Sequence, residues 1–481
     1  MMIEQIITEE AKKGIIYGYD LYKNMPPEDT TLFHNNPFVI FEQDDGKKFG
    51  INDEIFSRNI LSLGETGTGK TNVMSYAVKK LLDKVTEDDV VFIFDVKGEY
   101  AKNFFDNQNI KHKIFDNGKY RDYTIGWNIF REILSEPCEN SIKNRQIEEK
   151  EELWKMENAF MLAKEVSEDM FEGHENQSQP FFSNAAKDLL ASIIIDLIGE
   201  AEYEGHWEHL TTELLKKRVQ KANAEYFKKL IKESKVNGRL EGIENYFGKG
   251  DNLQALGVFG ELQSCINKCL NDVFSVSNGP RGTFAGREAV FDKGAYVYFI
   301  EFDLSLCDTL SPMYRLLLDL ILKAALTNKY EQKGNVYIIL DELSVIPQLK
   351  TLEKALNLGR SLGIKIWASL QSVSQLYKTY DEQEARALLA GFTNLFVFKS
   401  LDQESRKLVA ERTGKSYTHI HYRVLTEPYD VQRESNVIED WDILSLKRGH
   451  AIVALADEEP FIFQFPLYAE LLSESELEST S

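Results

Sequence analysis

The eight residues Gly64-Glu65-Thr66-Gly67-Thr68-Gly69-Lys70-Thr71 constrain this chain more than any others. A G-x-x-x-x-G-K-[ST] octet works where a strand ends and a helix begins, because its backbone N–H groups turn inward as an anion nest at the positive end of that helix. The flanks supply both: Ile60-Leu61-Ser62-Leu63 reads as a buried strand, and Asn72–Leu82 carries helical periodicity. The pattern therefore assigns Gly64, Glu65, Thr66, Gly67, Thr68 and Gly69 to cradling phosphates, Lys70 to the β- and γ-phosphates, and the Thr71 hydroxyl to Mg²⁺. ATP and Mg²⁺ are the implied ligands.

A second chemical signal lies far along the chain, where the apolar run Val336–Leu340 ends in Asp341-Glu342. Adjacent carboxylates at a strand end have separable tasks. Asp341 can hold a water of the Mg²⁺ shell, while Glu342, pointing to the other side, can polarise the attacking water as general base. A binary nucleotide switch does not need the second carboxylate, so the pair predicts sustained hydrolysis of ATP to ADP and phosphate.

Apolar runs of strand length at Ile60–Leu63, Val90–Phe94, Tyr296–Phe302, Val336–Leu340, Ile364–Leu370 and Leu395–Phe398 alternate with helical patterns. That alternation predicts an α/β fold, a parallel sheet with helices on both faces. Ahead of it, Asp45-Gly46 between Phe38–Phe41 and Phe49–Ile51 reads as the turn of a β-hairpin. Between Asn140 and Leu270 long charged helical stretches, such as Ile147–Ala163 and Leu214–Ile231, replace the strands. The expected organisation is an N-terminal hairpin extension (1–55), a P-loop core (56–139 and 271–465) interrupted by an all-helical insert (140–270), and an acidic flexible tail (466–481).

Charge and composition narrow the setting. The chain holds 77 acidic against 56 basic residues, a net of −21, and such a surface repels a polyanion at long range, so any nucleic acid must be gripped locally. The apolar stretches Leu189–Ile198 and Tyr314–Leu326 are cut by Asp196 and by Arg315, Asp319 and Lys323, so neither reads as a membrane span. Four scattered cysteines and an N-terminus with acids in place of a signal pattern point to the cytoplasm.

Downstream of the carboxylates come Gly359-Arg360-Ser361-Leu362-Gly363, the strand Ile364–Leu370, and Gln371-Ser372 followed by Ser374-Gln375-Leu376. With Asp95-Val96-Lys97-Gly98-Glu99-Tyr100, Gly126-Trp127-Asn128-Ile129-Phe130 and Pro180-Phe181-Phe182, this pattern resembles the TraG/TraD type IV coupling proteins of bacterial conjugation, within the HerA/FtsK-like P-loop ATPases. The resemblance implies a RecA-like core in a homo-hexameric ring that moves DNA or a relaxase–DNA complex towards a membrane secretion channel. It places Gln371 as a sensor of the γ-phosphate or lytic water, on a strand between the P-loop strand and the Asp341 strand, and Arg360 as an arginine finger presented to the neighbouring subunit. The family's usual membrane-spanning N-terminus has no counterpart here, so recruitment to the inner face of the cell membrane would need a partner. Two alternatives stand beside this reading: a cytosolic HerA/FtsK-like motor working with a nuclease in DNA processing or phage defence, and an ATP-driven protein-remodelling factor without DNA cargo.

Other features carry weaker expectations. Asp95, Lys97 and Glu99 follow a core strand and are candidates for the ligand edge of the sheet. Lys216, Lys217, Arg218, Lys221, Lys228, Lys229, Lys232, Lys235 and Arg239, against Glu225 and Glu233, concentrate positive charge in the insert where phosphates could be held. Glu204, His206 and His209 read as a surface helix rather than a metal site, Cys265 and Cys269 as buried or idle thiols, and Glu470, Glu474, Glu476 and Glu478 as a solubilising terminus.

Overall fold

The computed structural model describes residues 12–23, 36–116, 118–135, 149–172, 180–236, 240, 242–247, 253–327, 333–346, 348–422 and 429–468. In chain order its first strands are β1 Lys12–Tyr17, β2 Val39–Glu42, β3 Lys48–Ile51, β4 Ile60–Leu63, β5 Val90–Asp95, β6 His112–Phe115, β7 Gly126–Trp127 and β8 Thr283–Phe284. Then follow β9 Tyr296–Glu301, β10 Val336–Leu340, β11 Ile364–Leu370, β12 Asn394–Val397, β13 Lys415–Tyr422, β14 Tyr429–Asn436, β15 His450–Ala454 and β16 Phe461–Gln464. These elements belong to two compact units, one of 1–85, 337–345 and 356–481, the other of 86–336 and 346–355.

In the first unit the strand order is β16-β15-β12-β4-β11-β10. Both neighbours of β4 are parallel to it, with Leu63 opposite Leu370 on one side and Val397 on the other. All four β4 residues are buried, which is why they read as a continuous run; Ser62 is accommodated because its hydroxyl accepts from Trp367 Nε1 at 2.9 Å. β15 and β16 join antiparallel, so the sheet is mixed at this edge and not wholly parallel as the alternation suggested. The reason is aromatic packing. Phe461, Phe463 and Phe465 are buried among Phe41, Phe49 and Phe396, so the β2–β3 hairpin and the β15–β16 hairpin share one apolar cluster. The hairpin turn itself needs Gly46, at φ +83°. Separately, β1 pairs with β13, and β13 with β14.

In the second unit β9 pairs in parallel with β5 and β6. The insert contributes helices Glu149–Phe171, Pro180–Glu204, Thr212–Gln220, Ala224–Glu233 and Leu253–Cys269. The expected single stretch Leu214–Ile231 is in fact two helices, because the Asn223 side chain accepts from the Tyr226 N–H at 2.8 Å and starts a new helix. Buried Glu132 accepts from the Trp127 indole and from the amides of Gly286 and Arg287, and burial pushes its pKa above the usual carboxylate range.

Candidate nucleotide site

β4 runs directly into the octet. The Gly64 N–H donates to Leu370 O at 3.1 Å and the Glu65 N–H to Lys399 O at 3.0 Å, so the loop starts pinned to the ends of both neighbouring strands. Gly64 has φ +150°, and a Cβ there would lie 2.7 Å from Phe398 Cβ, so glycine is required by conformation and by space. Gly69, at φ +123°, is the N-cap of helix Lys70–Leu82 and gives it no side-chain cap. That leaves first-turn N–H donors for an anion. Lys70 is buried, and its Nζ donates to Gly64 O and, at 3.0 Å, to Glu65 O, folding the ammonium over the loop. Thr71 is the second residue of the same helix.

β11 lies between β4 and β10, and Gln371 leaves it one residue past the Leu63–Leu370 pair. Thr66 Oγ1 donates to Gln371 Oε1 at 3.0 Å, and the Gln371 N–H donates to Glu342 Oε1 at 3.2 Å. Ser344 Oγ donates to the same Glu342 oxygen at 2.7 Å. Thus one hydrogen-bonded run joins the octet to the second carboxylate. Ser372, not Gln371, caps the helix Val373–Thr379.

Asp341 and Glu342 are 1% and 2% exposed. Glu342 Oε2 is buried and hydrogen-bonds to no described residue. A buried carboxylate oxygen is costly without a donor, so this one suits a water held for reaction. Thr71 and Asp341 offer oxygen donors only, the set a hard cation such as Mg²⁺ takes, so the residues present fit the metal the octet implies.

Arg360 is not brought to this edge. It lies in the 3₁₀ turn Gly359–Leu362 before β11, whose seven residues at ~3.3 Å each put about 20 Å between its two ends. Its side chain is 54% exposed and faces Glu54 at 3.8 Å. Asp95 is a correction: buried, it accepts from the amides of Lys97, Glu99, Tyr100 and Ala101, and so caps the helix Glu99–Phe104 instead of facing a ligand. Lys97 and Glu99 are exposed.

In the insert Lys217, Lys221, Lys228, Lys229, Lys232 and Lys235 are exposed, while Lys216 donates to Leu270 O and Arg218 pairs with Glu200. Arg239 and the acidic residues from Glu470 on lie outside the described residues. His206, Glu208 and His209 place their ligand atoms within 4.8 Å of one another, all exposed. Cys265 and Cys269 are buried free thiols 3.8 Å apart.

Two contacts to the octet escaped sequence reasoning. The Leu401 N–H donates to Glu65 Oε1 at 2.8 Å, and the Gly449 N–H to Thr68 O at 2.9 Å. The one available signal was Gly449 itself, a glycine between a basic pair and an apolar run.

Among the described residues no helix is long and apolar enough to cross a membrane. Residues 50–462 match the family model of the type IV secretion-system coupling protein DNA-binding domain. The chain is 27% identical over 123 residues to a probable conjugal transfer protein TraG of Sinorhizobium fredii, covering 25% of this chain and 19% of that protein. It is 23% identical over 255 residues to the type IV secretion system-coupling protein VirD4 of Bartonella quintana, covering 50% of this chain and 37% of that one. The aligned stretches thus span well under half the length of these relatives. Among solved structures, the bacterial conjugative coupling protein TrwBdeltaN70 superposes with TM-score 0.68 at 18% identity over 96% of this chain and 95% of its own. The plasmid coupling protein TrwB in complex with ADP and Mg²⁺ gives 0.66 at 17% identity over 95% of each chain. The likeness shows the fold, an α/β RecA-like core with an all-helical insert.

Proposed function

The chain belongs to the type IV secretion-system coupling protein DNA-binding domain family, and from that premise we propose that it is an ATPase of a homo-hexameric ring that moves DNA, or a relaxase–DNA complex, in conjugative transfer. The observation that carries the reading is the run from Thr66 through Gln371 to Glu342, which ties a phosphate cradle to a buried carboxylate at one edge of three adjacent strands. A triphosphate in the octet meets the helix N-terminus and Lys70. Thr71 and Asp341 would hold Mg²⁺, which would supply positive charge to offset that of the phosphates. Glu342 Oε1 is fixed by Gln371 and Ser344, so the carboxylate cannot rotate away, and Oε2 accepts the proton of the attacking water. Gln371, bonded through its side chain to Thr66 and through its backbone to Glu342, reports γ-phosphate occupancy to the base. Arg360, about 20 Å from its own octet, acts on a neighbour's phosphoryl group.

DNA as cargo is supported by the match to a coupling protein DNA-binding domain and by the relatives, a probable conjugal transfer protein and a secretion-system coupling protein. The six exposed lysines of the insert supply a local grip on phosphates that the net charge of −21 denies elsewhere. The test is phosphate release at low salt with and without DNA. Severalfold stimulation by single- or double-stranded DNA is expected, with Lys70→Ala inert in both; an unstimulated rate with either form would instead favour protein remodelling.

A further inference from the structure

The carboxylates and Gln371 lie on the β10–β11 side of β4, so in the proposed reading the γ-phosphate points that way and the nucleoside leaves over the other side, where β12, β15 and β16 follow. A turn is docked there against the octet. Lys447-Arg448-Gly449-His450 is closed by the His450 N–H donating to Lys447 O at 3.1 Å, and Gly449 both donates to Thr68 O at 2.9 Å and accepts from the Phe465 N–H at 2.9 Å. The fit is backbone against backbone: a Cβ on Gly69 would lie 3.3 Å from Gly449 Cα, and Gly449 itself has φ +78°. The following segment is tied down as well. Asn72, in the first turn of the octet helix, donates to Pro466 O at 2.8 Å and accepts from the Tyr468 N–H at 2.6 Å.

This turn carries two exposed cations, Lys447 and Arg448, whose side chains have no partner among the described residues. Arg448 adjoins the residue that bonds to Thr68, so its long side chain starts at the wall of the cradle. A guanidinium lies flat on an aromatic face and stays charged at any working pH, properties that suit a purine and its ribose.

We propose that the turn Lys447–His450 is the nucleoside wall of the nucleotide site and that Arg448 binds the ribose–purine half of the ligand. The assignment rests on the octet being a nucleotide cradle, and the experiment separates the two. Isothermal titration would measure ADP and inorganic tripolyphosphate against the full chain, Arg448→Ala, Arg448→Lys and Lys70→Ala. Expected for Arg448→Ala is a loss of ADP affinity of fivefold or more with tripolyphosphate affinity changed less than twofold, and an intermediate ADP loss for Arg448→Lys, which keeps the charge but not the plane. Unchanged ADP affinity in Arg448→Ala, or an equal loss for both ligands, overturns the assignment. Lys70→Ala binding both ligands as the parent does would instead remove the cradle itself.

Discussion

Replacing Glu342 by glutamine isolates the proposed base from the scaffold around it. Oε1 accepts from the Gln371 N–H at 3.2 Å and from Ser344 Oγ at 2.7 Å, and an amide oxygen in the same place keeps both bonds. What changes is Oε2, which becomes an NH₂ that cannot take a proton. General-base catalysis is worth about 10²–10⁴ in rate, so the barrier should rise by roughly 2.7–5.4 kcal/mol. Glu342→Ala would in addition strand the two donors, at about 1–3 kcal/mol of stability. The assay is steady-state phosphate release beside ADP binding and a thermal melt. Expected for Glu342→Gln are parental binding and melting with turnover lost by about a hundredfold or more; turnover within threefold of the parent would reject Glu342 as base, since nothing else has been disturbed.

Two further outcomes test separate links. Mixing Arg360→Ala subunits with Lys70→Ala subunits should restore part of the ATPase activity, because each ring would contain interfaces with an intact Lys70 cradle and a neighbour's intact Arg360; no recovery at any mixing ratio removes the role across the interface. Asp196 is 5% exposed in helix Pro180–Glu204, and burial pushes its pKa up to about 6. A raised carboxylate pKa means the folded state holds the proton that the unfolded chain releases, so this residue's contribution to stability falls as pH rises from about 4 to about 6. Asp196→Asn should therefore raise stability near neutral pH by up to about 3 kcal/mol and change it little near pH 4, as read by urea unfolding; an equal effect at both pH values would contradict the linkage.

The core strands were legible because they are buried on both faces and so read as unbroken apolar runs: β4, β10 and β11 have the bounds the sequence suggests. β13 and β14 were not, since Lys-Ser-Tyr-Thr-His-Ile-His-Tyr and Tyr-Asp-Val-Gln-Arg-Glu-Ser-Asn carry too little apolar alternation to reveal a strand. The octet announces itself because its chemistry is local, eight consecutive residues between a strand and a helix. Asp95 misleads for the opposite reason: a carboxylate after a strand can face a ligand or cap the next helix, and only the positions of four amides decide. Likewise Gly449 has meaning only beside Gly69, a contact that no local pattern encodes.

The clasp between Asn72 and Tyr468 joins positions 396 apart, and it sets a schedule for the newborn chain. At about 5–20 residues per second, a ribosome delivers the second partner roughly 20–80 s after the first. For most of that interval β4 has neither of its parallel neighbours, since β11 begins only at Ile364, and it stands as a bare apolar edge, the kind of surface that recruits other chains. The cell must therefore shelter an early strand until Ile364–Leu370 has been made.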